Sequence, residues 1–256
     1  MTTQAPQTGS SRDDTPEIIR WRYRQDQKVK TYEQNRYGNI AKSLSHFMDC
    51  DAIDGFLRRH AQGRELTALD LACGTGRLSR TLARPGLRII SSDFSETMLA
   101  EAAKNAAGAG VSLRIARADG FKLPFRDGAF DAIFTFRFLR HFKTPDRLQL
   151  YHEIGRILKP GGVLVFDVIN AAVDVDVTKR KVWDEPFTGE QIQQELTAQG
   201  FTLEARIAGN IVRDPLFLLL KKWSLIRLGL WYGRRIRGQA RHVDAATSWV
   251  VCARKT

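Results

Sequence analysis

The chain has 256 residues, 43% hydrophobic and 27% charged, which excludes a disordered or fibrous polypeptide and suits one domain with additions. Its 40 Lys and Arg against 28 Asp and Glu give a net charge of +12, a field that favours anionic partners without choosing among nucleic acid, phospholipid headgroups and acidic small molecules. Cys50, Cys73 and Cys252 are widely spaced, with no CxxC pair and no histidine cluster at metal-ligand spacing, so reduced cytoplasmic thiols and no bound metal are expected.

Residues 1–15 are polar and lack the basic start and apolar stretch of a secretory signal, so they read as a loose tail. Residues 16–30 and 40–60 look helical, with Ile40, Leu44, Phe47 and Met48 on one side, and residues 16–64 are expected to form a helical cap beside a ligand cleft. From Thr67 onward, short apolar or β-branched runs at 68–72, 87–91, 112–116, 129–136 and 163–169 alternate with amphipathic stretches. That alternation predicts an α/β fold with a doubly wound parallel sheet. Ser95 is placed to cap a helix over 96–107, and Thr144-Pro145-Asp146 offers a cap, a helix-starting proline and an acid to the next. Leu148, Tyr151, Ile154 and Leu158 give that helix one apolar face. Thr188 with Gln191 makes a capping box for a helix ending at Gly200, and strands at 201–207 and 248–253 complete the sheet. Between them, residues 210–240 are too long for a hairpin loop and read as a helical insert. The longest purely apolar run, 216–220, falls far short of the roughly 20 residues that cross a bilayer, so a soluble or at most peripheral protein is expected.

The first strand runs into Cys73-Gly74-Thr75-Gly76 and then a helix, so glycines permit close backbone approach to a ligand. A tight structural turn or a dinucleotide fold would use the same turn. Ser79 occupies the position where a dinucleotide fingerprint wants its third glycine. Asp93 lies 17 residues past Gly76, near the spacing of a ribose-binding acid, the plain alternative being a helix-entry residue beside Ser95. Asp119, in Arg117-Ala118-Asp119-Gly120-Phe121, follows the third strand, so three acids stand in order at three strand ends.

The segments Leu69-Asp70-Leu71-Ala72-Cys73-Gly74-Thr75-Gly76, Ser92-Asp93-Phe94-Ser95-Glu96-Thr97-Met98-Leu99, Leu123-Pro124-Phe125 and Leu158-Lys159-Pro160-Gly161-Gly162 resemble the successive signatures of class I methyltransferases dependent on S-adenosylmethionine (SAM). The likeness covers residues 65–170 and is best to the small-molecule branch of quinone-biosynthesis, sterol and natural-product tailoring enzymes. It implies a Rossmann-like, seven-stranded, mostly parallel sheet with an antiparallel last strand, and a catalytic domain over 65–256. It implies that Asp70 with Ala72, Cys73, Gly74, Thr75 and Gly76 holds the methionine end of SAM, that Asp93 and Phe94 hold the ribose, and that Met98 lies on an adenine face. Asp119, Gly120 and Phe121 meet the adenine edge, while Phe136 and Arg137 line the transfer cleft. S-adenosylhomocysteine is the implied product. The chain departs from the family where two adjacent histidines often follow the fourth strand: Phe138-Leu139-Arg140-His141 keeps only the second.

His141 is the candidate general base and reads equally as a structurally satisfied histidine. Arg137 and Arg140 have the paired donors to orient an anionic substrate, solvated surface arginines being the plain alternative. Tyr23 and Tyr37 are candidate lid residues, or else core or exposed side chains. In the insert, Leu216, Leu219, Leu220, Trp223, Ile226 and Leu230 form an apolar stripe. Lys221, Lys222, Arg227, Arg234, Arg235, Arg237 and Arg241 add seven cations, with no acid between Pro215 and Val243. Such a segment suits contact of 216–241 with an anionic membrane or a cover over a lipophilic substrate, Trp223 included; a helix packed on the sheet is the plain alternative. A small-molecule acceptor methylated at O, N or C is the leading expectation. An RNA methyltransferase finds support in the charge but in no RNA-binding motif, and a silent SAM-binding regulator is the third possibility.

Overall fold

The computed structural model describes residues 40–173, 184–211, 214–223 and 225–256. Helix α1 (Ile40–Ala61) leads into strand β1 (Leu66–Leu71), followed by α2 (Arg77–Leu82), β2 (Leu87–Asp93), α3 (Glu96–Gly108), β3 (Arg114–Arg117) and β4 (Phe130–Thr135). A 3-10 turn (Leu139–His141) precedes α4 (Thr144–Ile157), β5 (Leu158–Asn170), β6 (Pro186–Phe187), α5 (Gly189–Ala198) and β7 (Phe201–Asn210). The chain then forms α6 (Pro215–Lys222), α7 (Ile226–Ile236), α8 (Ala240–Ala245) and β8 (Ser248–Lys255).

The strand order is β3-β2-β1-β4-β5-β8-β7. The pairs from β3 to β5 are parallel, and β8 runs antiparallel to both β5 and β7. This is the expected Rossmann-like sheet with an antiparallel last strand. One strand is additional: β6, two residues long, pairs with the end of β5.

Alternating side chains send the central strands into two hydrophobic clusters, as a two-residue period requires. Leu69, Ile133, Leu164 and Phe166 join α4 and α5 on one face. Ala68, Ala132, Phe134 and Val165 join Ile53 and Leu57 of α1 and Leu78 of α2 on the other. Strand β4 is buried along its whole length, which is why its sequence is apolar on both faces apart from Asp131 and Thr135.

The helix signals act as expected at two ends: Ser95 accepts from Met98 N, and Thr188 with Gln191 forms both halves of a capping box. Four readings need correction. Lys143, not Thr144, is the N-cap of α4, because the Thr144 hydroxyl turns to Glu195 at 3.0 Å. Leu158 belongs to β5 rather than the face of α4, and the buried face instead includes Arg147, whose guanidinium bonds Glu195 and stacks over Phe187 at 4.2 Å. On α1, Leu44 and Met48 are buried but Phe47 is exposed, and the side chain of Ile40 lies outside those described. The insert is three helices rather than one: Leu220 is buried and Ile226 and Leu230 half-buried, while Leu216, Leu219 and Trp223 are exposed. Asp214, one residue before the acid-free span, ties these helices together: it accepts from Phe217 N at 2.7 Å and Tyr232 OH at 3.0 Å, and pairs with His242 at 3.1 Å.

Candidate active site

An open cavity lies at the C-terminal ends of β1, β2, β3 and β4. That is where parallel α/β sheets bind ligands. The loop after β1 builds one wall. Ala72 and Gly74, at φ +58° and +55°, give the loop a left-handed curl where it borders the cavity, and Gly76 follows at φ +71°. Cys73 N donates to Ser92 O at 2.8 Å and Gly74 N to Asp93 Oδ2 at 2.9 Å, so the loop is held to β2.

Asp70 is buried at the base of this loop. Ser91 Oγ donates to Ser79 Oγ (2.7 Å), which donates to Asp70 Oδ2 (2.6 Å). Ser79 therefore does work that a glycine there could not. Burial raises the Asp70 carboxyl to about 7, against the opposing bonds from Ser79 and with help from nearby Asp93. Burial also raises Asp93, whose Oδ1 accepts from Ser95 N at 2.9 Å. Both carboxylates border the cavity, where a ligand can reach them. Asp119 Oδ1 accepts from Phe121 N at 3.1 Å, which fixes the loop after β3. A Cβ at Gly120 would lie 2.7 Å from Phe138 Cζ, so any larger residue there must displace that ring.

Asp70, Ala72, Cys73, Gly74, Thr75 and Asp93 border the cavity, as do Phe94, Met98, Asp119, Gly120, Phe121, Phe136, Arg137 and His141. Gly76 does not. It caps α2 from behind, where its Cα faces Ala102 and Leu113. Arg140 does not border it either: it is mostly buried, with Nη1 3.3 Å from Asp167 and Nε 3.3 Å from Asp184, so neither a solvated arginine nor a free substrate anchor describes it. Trp223 is 69% exposed on the insert and away from the cavity lining. Tyr23 and Tyr37 lie outside the described residues. Among the described side chains of α1 none is part of the cavity lining, and Ile53 and Leu57 pack beneath the sheet.

Sequence reasoning missed Leu71, Arg77, Leu78, Ser95, Ala118, Phe138 and Phe142 in the lining. Phe138 stands in the same short segment as Arg137 and His141 and carried the signal. Arg137, at φ +59°, is the second non-glycine residue at the cavity with left-handed backbone; its N–H donates to Asp167 Oδ1, which fixes the strained turn after β4. His141 is buried, with Nδ1 3.2 Å from Asp184 Oδ1. Burial lowers its pKa from 6.5, opposed by the bond to Asp184, so it is neutral at physiological pH.

Residues 68–162 match a family described as a methyltransferase domain. A demethylmenaquinone methyltransferase of Thermus thermophilus is 42% identical over 99 residues, 38% of this chain and 44% of that protein. The match thus spans less than half of that relative. The solved magnesium protoporphyrin IX methyltransferase of Synechocystis, with bound SAH, aligns over 94% of this chain and 100% of its own with a TM-score of 0.66 at 15% identity, a likeness of fold. The [4+2]-cyclase SpnF is 25% identical, with a TM-score of 0.54 over 80% of this chain and 81% of its own.

Proposed function

We propose that this chain, a Rossmann-like class I methyltransferase fold whose residues 68–162 match a methyltransferase domain, moves the methyl group of SAM to an O, N or C atom of a small lipophilic or anionic metabolite. One observation carries the reading: Asp70, Asp93 and Asp119, from three successive strand ends, border one cavity together with five phenylalanines. The donor set fits SAM. A cationic amine suits Asp70, ribose hydroxyls suit Asp93, and an adenine amino group suits Asp119 beside the Gly120 backbone. Phe94, Phe121, Phe136, Phe138 and Phe142 offer ring faces, which attract a sulfonium cation as they do an ammonium.

SAM supplies an electrophilic methyl group and leaves as S-adenosylhomocysteine. The chain's part is to orient the acceptor and, where the acceptor atom carries a proton, to remove it. His141 suits that role: it borders the cavity, and the Asp184 carboxylate 3.2 Å from Nδ1 favours a proton there over one on Nε2. Arg137 suits orientation of an anionic acceptor group, because it borders the cavity whereas Arg140 is paired with Asp167 and Asp184. Residues 216–241 bring the enzyme to an anionic membrane surface, where a lipophilic acceptor partitions.

The fold by itself does not dictate methyl transfer, as the cyclase neighbour illustrates. The test is direct. Calorimetry with SAM and with NAD is expected to show binding of SAM alone, and an extract of the native organism given isotopically labelled SAM is expected to yield a labelled small molecule. Binding of SAM with no labelled product and no S-adenosylhomocysteine would replace this reading with that of a silent SAM-binding protein.

A further inference from the structure

Nine large hydrophobic side chains are exposed among the described residues, and seven of them lie between Leu216 and Trp231. They share one substructure. Phe217 near the start of α6 meets Gly233 near the end of α7, so the two helices form an antiparallel hairpin with Trp223 and Leu225 at its tip. The inner side of that hairpin is fastened to α1. A Cβ at Gly229 would stand 3.0 Å from Leu44, and one at Gly233 would stand 3.0 Å from Met48. Arg234 and Arg237 both reach Asp51, at 2.5 and 2.8 Å. The outward side therefore cannot turn in to hide its apolar residues without dismantling this packing.

The outward side is apolar at its tip and basic around it. Leu219, Trp223, Leu225 and Leu228 surround that tip, with Trp223 69% exposed. Lys222, Arg227, Arg235 and Arg241 are also exposed, and Arg235 lies over the Trp231 ring at 4.4 Å. No acid occurs between Pro215 and Val243. Contiguous apolar surface of this kind marks an interaction site, and its charge selects the occupant. A second copy would set two basic collars against each other. A surface with apolar depth beneath anionic groups complements both features, which describes a bilayer containing anionic phospholipid. No helix among the described residues is long and apolar enough to cross a membrane, so the contact is peripheral.

We propose that the α6–α7 hairpin docks on an anionic phospholipid bilayer, with Trp223, Leu225, Leu228 and Trp231 entering the boundary between headgroups and acyl chains while Lys222 and Arg227 meet lipid phosphates. This rests on the membrane contact in the preceding reading and names its residues, but it does not depend on methyl transfer.

The experiment uses the full chain, sedimented with vesicles of phosphatidylcholine alone or of phosphatidylcholine with phosphatidylglycerol. The wild type is expected to bind the second kind and not the first. Trp223→Ser combined with Trp231→Ser, and separately Lys222→Glu combined with Arg227→Glu, are expected to weaken that binding at least tenfold. Arg64→Glu combined with Arg114→Glu, exposed outside the hairpin and equal in charge change, is expected to leave it unchanged, which separates docking from the general effect of net charge. SAM binding measured on the same variants shows that they remain folded. Vesicle binding without SAM binding in the wild type would sink the catalytic reading and leave the docking intact. Equal binding to both vesicles, undiminished binding by the hairpin variants, or a dimer that the tryptophan variant converts to monomer would each overturn the docking.

Discussion

Lowering the pH from about 7.5 to about 6 tests whether Asp70 receives the amine of SAM, because its carboxyl titrates in that window when the site holds no ligand. With a pKa of about 7, Asp70 is about three-quarters ionised at the upper pH and about one-eleventh ionised at the lower. If the cation is bound by the carboxylate alone, the protonated fraction must give up its proton on binding, and Kd weakens about eightfold across the window. Above it the ligand's own amine, whose ordinary pKa is about 8, is losing its proton as well, so the range should stop at about 7.5. Isothermal calorimetry in buffers of different ionisation enthalpy reads both Kd and the released proton. Asp70→Asn should flatten most of the slope, the remainder coming from Asp93, whose carboxyl is raised in the same direction. The ligand-free protein has the opposite sign. A carboxyl whose folded pKa exceeds its unfolded value near 3.9 contributes stability below that value and loses it as pH rises toward about 7. The ligand-free Tm should therefore fall over this window because of Asp70, and less so in the Asn variant. A Kd constant within about twofold, or an unchanged slope in Asp70→Asn, would refute the assignment.

Replacing His141 with Ala is expected to lower kcat by about 10²–10⁴-fold at unchanged Kd for SAM, and Asp184→Asn by less, if His141 acts as base. Since burial lowers its pKa from 6.5, the acid limb of kcat/KM should fall below pH 6.5; a limb above it would point to another group. Gly120→Ala forces a Cβ to within 2.7 Å of Phe138, so it should destabilise the fold by roughly 1–3 kcal/mol and weaken SAM binding, readable by thermal shift and calorimetry. Glu195→Ala leaves the buried Arg147 guanidinium without its carboxylate and should cost roughly 3–5 kcal/mol in urea unfolding. Replacing both residues by hydrophobic ones of similar volume should cost much less.

The sheet was legible because its cause is local. Runs such as 129–136 must be buried on both faces, and the cap residues Ser95 and Thr188 satisfy helix ends within three residues of themselves. The acids at 70, 93 and 119 were legible for the same reason, since each follows a strand and parallel strands end on one side of the sheet. Thr144 was misread because a partner 51 residues away, Glu195, claimed its hydroxyl. Gly76 matched the motif yet faces α3, because a helix N-terminus has two sides and only packing decides which one a residue shows.

The order of residues along the chain thus determined the strands, the helix caps and the glycine turn, because those depend on neighbours a few positions apart. Only the tertiary structure decided that Arg140 is paired with Asp167 and Asp184, that Asp184 reaches His141, and that the apolar residues of the insert divide between core and surface. Each of those outcomes depends on charges or surfaces brought together from distant segments, and no periodicity records which distant segment arrives.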